Sequence, residues 1–396
     1  MIFYFVVIIL IELILFSLIL YLKKDFQWLI TGRDLSIKID RKLAKKFFDN
    51  SFDSYLGWKR KENSSFSDET ENGLVRYSIA GDGSRKNNLF APSHPSISSY
   101  GDSFCFGRLV KDTETWQYIL SKKMKANVSN KGVGNYGLDQ ALLRFEMEVC
   151  KDSSEVVILN VVPETIARVH SIWKHYFEYG NTLAFKPVFK VIDGCLVLEE
   201  CPIKNLDDLC NTALDPRDIA DRDYFYRKKF LKDIIKFPYT LMIFKRPFKN
   251  IYLLIFIILD KLFSFKKSMA FELILEENKK WTEELFRNKD AKHLLFLLIE
   301  RFSFSASKNR KRFILLWTPQ KVDLNIKTIT LYRQFLSELE NLSVEIIDMT
   351  DEFLSNKDNV YVNGKLGPHP SEFGNTLTAK KLYQYLHHDH ENNLSI

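Results

Sequence analysis

Between Ile97 and Val162, short strand-like stretches alternate with longer helical ones, and no other feature of the sequence restricts the fold as much. A strand ending at Tyr100 is followed by a helix through "TETWQYILSKKM", the short strand "ANVSN", a glycine-rich loop, a helix "LDQALLRFEMEVC" and the strand "EVVILNVV". Strands and helices alternating at these lengths predict a mostly parallel sheet covered on both faces. The expected fold class is α/β, a three-layer α/β/α doubly wound sheet, in which chemistry gathers at the carboxyl ends of the strands. The rhythm returns at "KRFILLWTPQ", "TLYRQFLSELENL" and "SVEIIDMT", before a last helix that follows "GPHPSEFGN".

Upstream, "MIFYFVVIILIELILFSLILYLKK" is apolar from Met1 to Leu22 except for Glu12 and Ser17. That matches the ~20 residues a helix needs to cross a bilayer, so residues 1–24 are expected to be a transmembrane anchor. Basic residues ahead of the run and a small-x-small site behind it are both missing, so the helix is expected to be retained. Glu12 costs ~2–3 kcal/mol at the centre of a span unless it faces a partner helix or water. Lys23, Lys24, Arg33, Lys38, Arg41 and Lys42 follow the helix and none precede it. The positive-inside rule then expects a single-pass cell-membrane protein with its soluble domain in the cytoplasm. Residues 25–70 are polar and charge-rich and read as a membrane-proximal linker, and "LVRYSIAGDGSRKNN" beyond them reads as a strand entering a turn. The catalytic domain is thus expected over 71–390.

The middle, 175–311, departs from the rhythm and reads as an insertion. "KPVFKVIDGCLVLEECPI" predicts a hairpin turning at Asp193-Gly194. In "RPFKNIYLLIFIILDKLFSFKK" the apolar run Ile251 to Leu259 is bounded by Arg246, Lys249, Lys261, Lys266 and Lys267. It is short for a span and suits an interfacial helix with basic flanks, or else a core helix.

Composition narrows function only a little. The 396 residues are 46% hydrophobic and 27% charged, enough for a sizeable core, and the net charge of +7 is spread along the chain. Nothing in that distribution points to nucleic acid. Cys105, Cys150, Cys195, Cys201 and Cys210 are odd in number and lack C-x-x-C pairing, which reads as reduced, mostly buried thiols. His387, His388 and His390 lie in a polar tail and read as solvated. No metal or other cofactor is called for.

Three segments carry chemistry. In "SYGDSFCFG", Ser103 sits where a strand gives way to a turn, behind Asp102, near backbone N–H groups that favour negative charge. Alone it reads as a turn serine as readily as a nucleophile. His369 precedes the last helix in a proline-bracketed loop and, in a doubly wound sheet, reaches the same edge, where it supplies the base a serine needs. The glycines of "NKGVGNYGLDQALLR" free backbone N–H groups around Gly134 and Asn135 to face an oxyanion, or simply make a tight turn. Glu164, Arg168, Trp173 and His175, in and just after "VVPET", are candidate site contacts. Their aromatic and donor groups suit a sugar or a polar anion, and their spacing equally suits an ordinary helix face.

Together the three segments resemble the SGNH (GDSL-type) hydrolase family, from about Val75 to Leu386. The resemblance implies Ser103 as nucleophile with its own N–H in the oxyanion hole, a second donor near Gly134 or Asn135, and His369 as general base. Two departures stand out. Pro163-Glu164-Thr165 replaces the family's asparagine and aspartate after the third core strand, and Leu366 stands where the family has the aspartate that orients the histidine. Asp351, Asp358, Glu372 or Glu164, or a backbone carbonyl, are the groups left to orient His369.

The function expected is a membrane-anchored serine esterase or O-acyltransferase acting on ester-linked acyl groups, acetyl above all, of a glycan or lipid-linked saccharide. The alternative is a catalytically degenerate domain that binds glycan or scaffolds polysaccharide assembly. A lipase working at the membrane surface is a third reading.

Overall fold

Near-continuous apolar runs, buried on both faces, build the middle of the central sheet. Its strands are β1 (Ile97–Gly101), β2 (Val128–Asn130), β3 (Val156–Val161), β4 (Arg312–Trp317) and β5 (Glu345–Asp348), all parallel, in the order β5-β4-β3-β1-β2. Ile97, Ile158, Ile314 and Leu316 point to one face, where Trp116 and Leu120 of the helix Trp116–Met124 and Leu382 and Leu386 of the helix Glu372–Asn393 cover them. On the other face Phe145 meets Tyr100 at 5.4 Å and stacks on Phe302 at 4.5 Å, which stacks on Phe313 at 4.9 Å. Each such side chain removed from water contributes roughly 1.5–3 kcal/mol. Helices therefore cover both faces, as the alternation predicts. In this strand order the chain reverses direction across the sheet between β1 and β3, and ligands gather at that point, beyond the carboxyl ends of the strands.

The computed structural model describes residues 2–22, 37–92, 94–263, 268–342, 344–364 and 367–393. The chain forms two units, one of Met1–Phe48, His170–Lys186 and Pro202–Asn278 and the other of Asp49–Val169, Pro187–Cys201 and Lys279–Ile396. The second unit holds the parallel sheet. It also holds an antiparallel sheet in which Gly73–Ile79 pairs with Ser64–Thr70, Ser64–Thr70 with Tyr361–Gly364, and Tyr361–Gly364 with Gly367–Pro370.

That second sheet corrects the linker expected over 25–70. Residues 41–50 form a helix, Phe52–Asp53 and Gly57–Trp58 a small hairpin, and Ser64–Thr70 a strand. Polar residues occupy this strand because alternate positions face solvent, a pattern that resembles a linker until its partner strands are known. The remainder of that stretch, 25–36, lies outside the described residues, as do Lys23 and Lys24.

The insertion expected over 175–311 is likewise divided, since Pro187–Cys201 and the residues from Lys279 onward belong to the unit that holds the parallel sheet. The predicted hairpin forms, with Val188–Ile192 against Cys195–Glu199 and both turn residues, Asp193 and Gly194, at positive φ. Two of the five cysteines, Cys105 and Cys201, are buried, Cys150 and Cys195 are exposed, and Cys210 is half-buried.

In the other unit, Ile2–Leu22 is one helix. Side chains are described on it from 3 to 19, and among the described residues no helix is long and apolar enough to cross a membrane. Ile19 packs with Tyr239, Ile243, Leu253, Ile257 and Ile274. Glu12 accepts the backbone N–H groups of Tyr239 (2.6 Å) and Thr240 (2.7 Å), which satisfies the first turn of the helix Tyr239–Lys245. The apolar run 251–259 falls in the helix Pro247–Phe263, which buries Leu253, Leu254 and Ile257 and exposes Phe248, Ile251, Tyr252 and Ile255.

Candidate active site

The end of β1 is shaped by Gly101. At its φ of +149° any side chain is strained, and a Cβ there would lie 1.9 Å from the Asn160 carbonyl oxygen of β3. The close approach leaves room for the chain to turn at once into the short helix Ser103–Phe106. Asp102 caps that helix, its Oδ1 accepting the Phe104 N–H at 2.8 Å. Ser103 is thereby placed at the carboxyl edge of β1, at the point where the sheet's winding reverses.

His369 reaches the same edge from the antiparallel sheet. It lies on the strand Gly367–Pro370, opposite Val362, rather than in the loop its prolines suggest. Its Nε2 is 3.0 Å from Ser103 Oγ and its Nδ1 is 3.2 Å from the Gly367 carbonyl oxygen. A carbonyl accepts only from an N–H, so it holds the proton on Nδ1 and leaves Nε2 free to accept from the serine. Among the described residues no carboxylate is the Nδ1 partner. Asp351 is exposed and paired with Arg333 at 2.8 Å, Asp358 and Glu372 are exposed, and Leu366 lies outside the described residues.

Glu164 is committed elsewhere. With Asp102 it brackets Arg168, whose Nε is 3.0 Å from Glu164 Oε2 and whose Nη1 is 3.2 Å from Asp102 Oδ2. All three are buried. Burial raises the Asp102 carboxyl, while Arg168 and the N–H groups of Phe104, Val162 and Cys105 oppose the rise.

The glycine loop packs against the serine's helix. A Cβ on Gly132 would lie 2.4 Å from the Phe106 nitrogen, and the Val133 N–H donates to the Gly101 carbonyl at 3.0 Å. Trp58 Nε1 donates to the Gly134 carbonyl at 3.0 Å, and Asn135 takes a φ of +67°, a left-handed turn that asparagine tolerates better than most residues. The Gly134 N–H makes no hydrogen bond among the described residues. The loop thus packs against the turn that carries the serine.

Ser103 and His369 are 3% and 7% exposed. Burial, then the nearby Arg108 and Arg168, push the His369 imidazolium down to about 3, with the Gly367 carbonyl opposing. The neutral imidazole is the form that accepts a proton, so activity is lost only as pH falls through that folded-state value. The expected kcat/KM is therefore flat through the ordinary histidine value near 6.5 and down to about pH 5. A pH–rate profile at constant ionic strength checks this, and a half-maximal point near 6.5 would contradict it.

Trp173 and His175 do not join this site. They belong to the other unit and are fully buried there, Trp173 stacked on Phe185 at 4.7 Å and His175 edge-on to Phe230 at 5.2 Å. Burial, with Lys229 nearby, holds the His175 imidazolium down to about 3. The expected surface helix face is a packed aromatic core because "HSIWKHYF" folds as an irregular turn rather than a continuous helix. His387 is exposed on the last helix, and the side chains of His388 and His390 lie outside the described residues.

Three groups beside the site were not singled out from sequence. Gly367 and Arg108 carry no local signal. Asp323 does, since it follows the carboxyl end of β4, where ligands gather. It is buried, and burial together with Glu164 pushes its carboxyl up to about 7 against the Gln320 N–H.

A serine hydroxyl 3.0 Å from a histidine nitrogen, at the carboxyl edge of a doubly wound sheet, is an arrangement from which acyl transfer can proceed. No family model matches the chain, and no curated protein matches it. Among solved structures it is similar to a lipolytic protein of the G-D-S-L family from Desulfitobacterium hafniense DCB-2, at 11% identity and a TM-score of 0.34, over 73% of this chain and 97% of that one. A member of the same lipolytic family from Veillonella parvula DSM 2008 gives 11% and 0.35 over 73% and 96%, and the acetyl xylan esterase AlAXEase gives 12% and 0.34 over 73% and 98%. At these identities and scores the likeness says nothing about what the chain does.

Proposed function

We propose that the protein is a serine-dependent carboxylic ester hydrolase or O-acyltransferase of SGNH type. The observation that carries this is the 3.0 Å contact between Ser103 Oγ and His369 Nε2, with Nδ1 held on the Gly367 carbonyl. Ser103 Oγ attacks the ester carbonyl as its proton passes to His369 Nε2. The carbonyl oxygen takes the negative charge beside the backbone N–H groups of Ser103 and Gly134 or Asn135. The intermediate collapses, the alcohol leaves with the proton from His369, and water or another hydroxyl then takes the acyl group from Ser103 by the reverse steps.

The substrate proposed is an ester-linked acyl group, acetyl in the first instance, on a glycan or lipid-linked saccharide at a membrane. Exposed Phe244, Phe248, Ile251 and Tyr252 beside Lys245 and Arg246 support action at an anionic membrane surface. The basic residues that follow Leu22 favour the cytoplasmic side.

The burial of both dyad residues favours a second reading, a degenerate module that binds glycan. A neighbouring cleft of about 700 Å³, lined by Asn63, Ser78, Asn87 and Phe90 among others, does not include either of them. Labelling with a fluorophosphonate, followed by intact mass and peptide mapping, separates the two. Stoichiometric modification confined to Ser103 is expected, and folded protein that stays unlabelled would favour the binding module.

A further inference from the structure

The arginines around the dyad are not equivalent. Arg85 is paired with Asp112 and donates to the Phe106 and Val110 carbonyls, Arg144 is paired with Glu148, and Arg168 is held by Glu164 and Asp102. Arg60 is held differently: burial and Arg108 oppose its guanidinium, while Tyr77 and the charge of Asp68 favour it. No carboxylate lies within ion-pair distance of it among the described residues, and its Nε–H is buried without a hydrogen-bond partner. Its guanidinium lies over the Phe106 ring at 4.7 Å, with Tyr77 at 5.8 Å and Phe66 at 5.9 Å. These faces hold it in place without neutralising it.

The position of that charge matters. Phe106 ends the helix that Ser103 begins, and Arg60 Nη2 is the nearest atom, at 3.3 Å, to where a Cβ on Gly134 would stand. One end of the arginine therefore lies beside Gly134, in the loop to which the mechanism above assigns an oxyanion donor. Arg108, whose N–H donates to the Ser103 carbonyl, adds a second guanidinium, shared with Asp68 at 3.3 Å. A guanidinium does not shed its proton in a protein, so one with no carboxylate in ion-pair contact gains from an anion that reaches it.

We propose that Arg60 is an anion subsite beside Ser103, so that the substrate carries a carboxylate or phosphate close to the ester that is cleaved. This deepens the esterase reading and rests on it for the ester. Gly134 carries no side chain to occupy the space next to the arginine. The fork of N–H donors suits a planar carboxylate or a phosphate equally.

The test compares 4-acetoxybenzoate with its methyl ester, which share the acyl group and differ in charge. Wild type should prefer the acid in kcat/KM by about tenfold or more, the size of a charge-assisted hydrogen bond. The preference should survive in Arg60→Lys, fall to near one in Arg60→Gln, and shrink as salt is raised. Equal turnover of the two esters by wild type would overturn the proposal. Calorimetric titration with 4-hydroxybenzoate and with inorganic phosphate reads the anion without turnover. Binding of either that is present in wild type and Arg60→Lys but lost in Arg60→Gln supports the subsite, and the tighter of the two names the carboxylate or the phosphate. If neither binds while the esters are turned over with dependence on Ser103, the subsite is wrong and the esterase stands. If anions bind and no ester is turned over, the esterase is wrong and the subsite stands.

Discussion

Replacing His369 by alanine is expected to lower kcat/KM for ester turnover by about 10³-fold, while Asp358→Asn and Glu372→Gln remain within about twofold of wild type. His369 is the base 3.0 Å from Ser103 Oγ, and its other nitrogen meets the Gly367 carbonyl rather than a side chain. A carbonyl in a strand cannot be displaced by a surface carboxylate without breaking the pairing of Gly367–Pro370 with Tyr361–Gly364. A steady-state comparison on one acetyl ester is sufficient. A loss in either carboxylate variant as large as that in His369→Ala would show that one of them orients the base after all.

Arg168→Met is expected to destabilise the unit that carries the site by about 3–5 kcal/mol, because it removes the guanidinium that two buried carboxylates share. Glu164 and Asp102 have side chains only 9% and 2% exposed, and Arg168 has 5%. Adding Glu164→Leu to Arg168→Met should recover part of the loss, since one of the stranded charges is then gone. The urea midpoints of the single and double variants measure both effects. A single variant whose midpoint barely moves would mean that the triad is hydrated and contributes little.

Much of the site could be read from local pattern. The G-D-S tripeptide at the end of a strand fixes Ser103 on a turn because Gly101 alone fits against Asn160, and the glycine loop is short enough to be forced against the serine's helix. Arg168 and Glu164, four residues apart after β3, are expected from sequence as site contacts, and in the structure they pair with each other. Their spacing is that of an ion pair across one helical turn, and Asp102, 66 residues from Arg168, closes the triad. Trp173 and His175, expected on the same footing, lie in a buried aromatic cluster, because an irregular turn carries no period from which burial can be inferred.

The sequence by itself determined the α/β alternation, the parallel strands, the hairpin at Asp193-Gly194 and the two ends of the Ser103–His369 pair, because each depends on propensities within a few residues. The tertiary structure alone decided what orients His369 and which segments make the sheet that carries it. Ser103 and His369 are 266 residues apart, and Ser64–Thr70 reads as a linker until Tyr361–Gly364 pairs with it. A hydrogen bond or ion pair between distant segments is fixed by where the packed elements bring them, and no local preference records it.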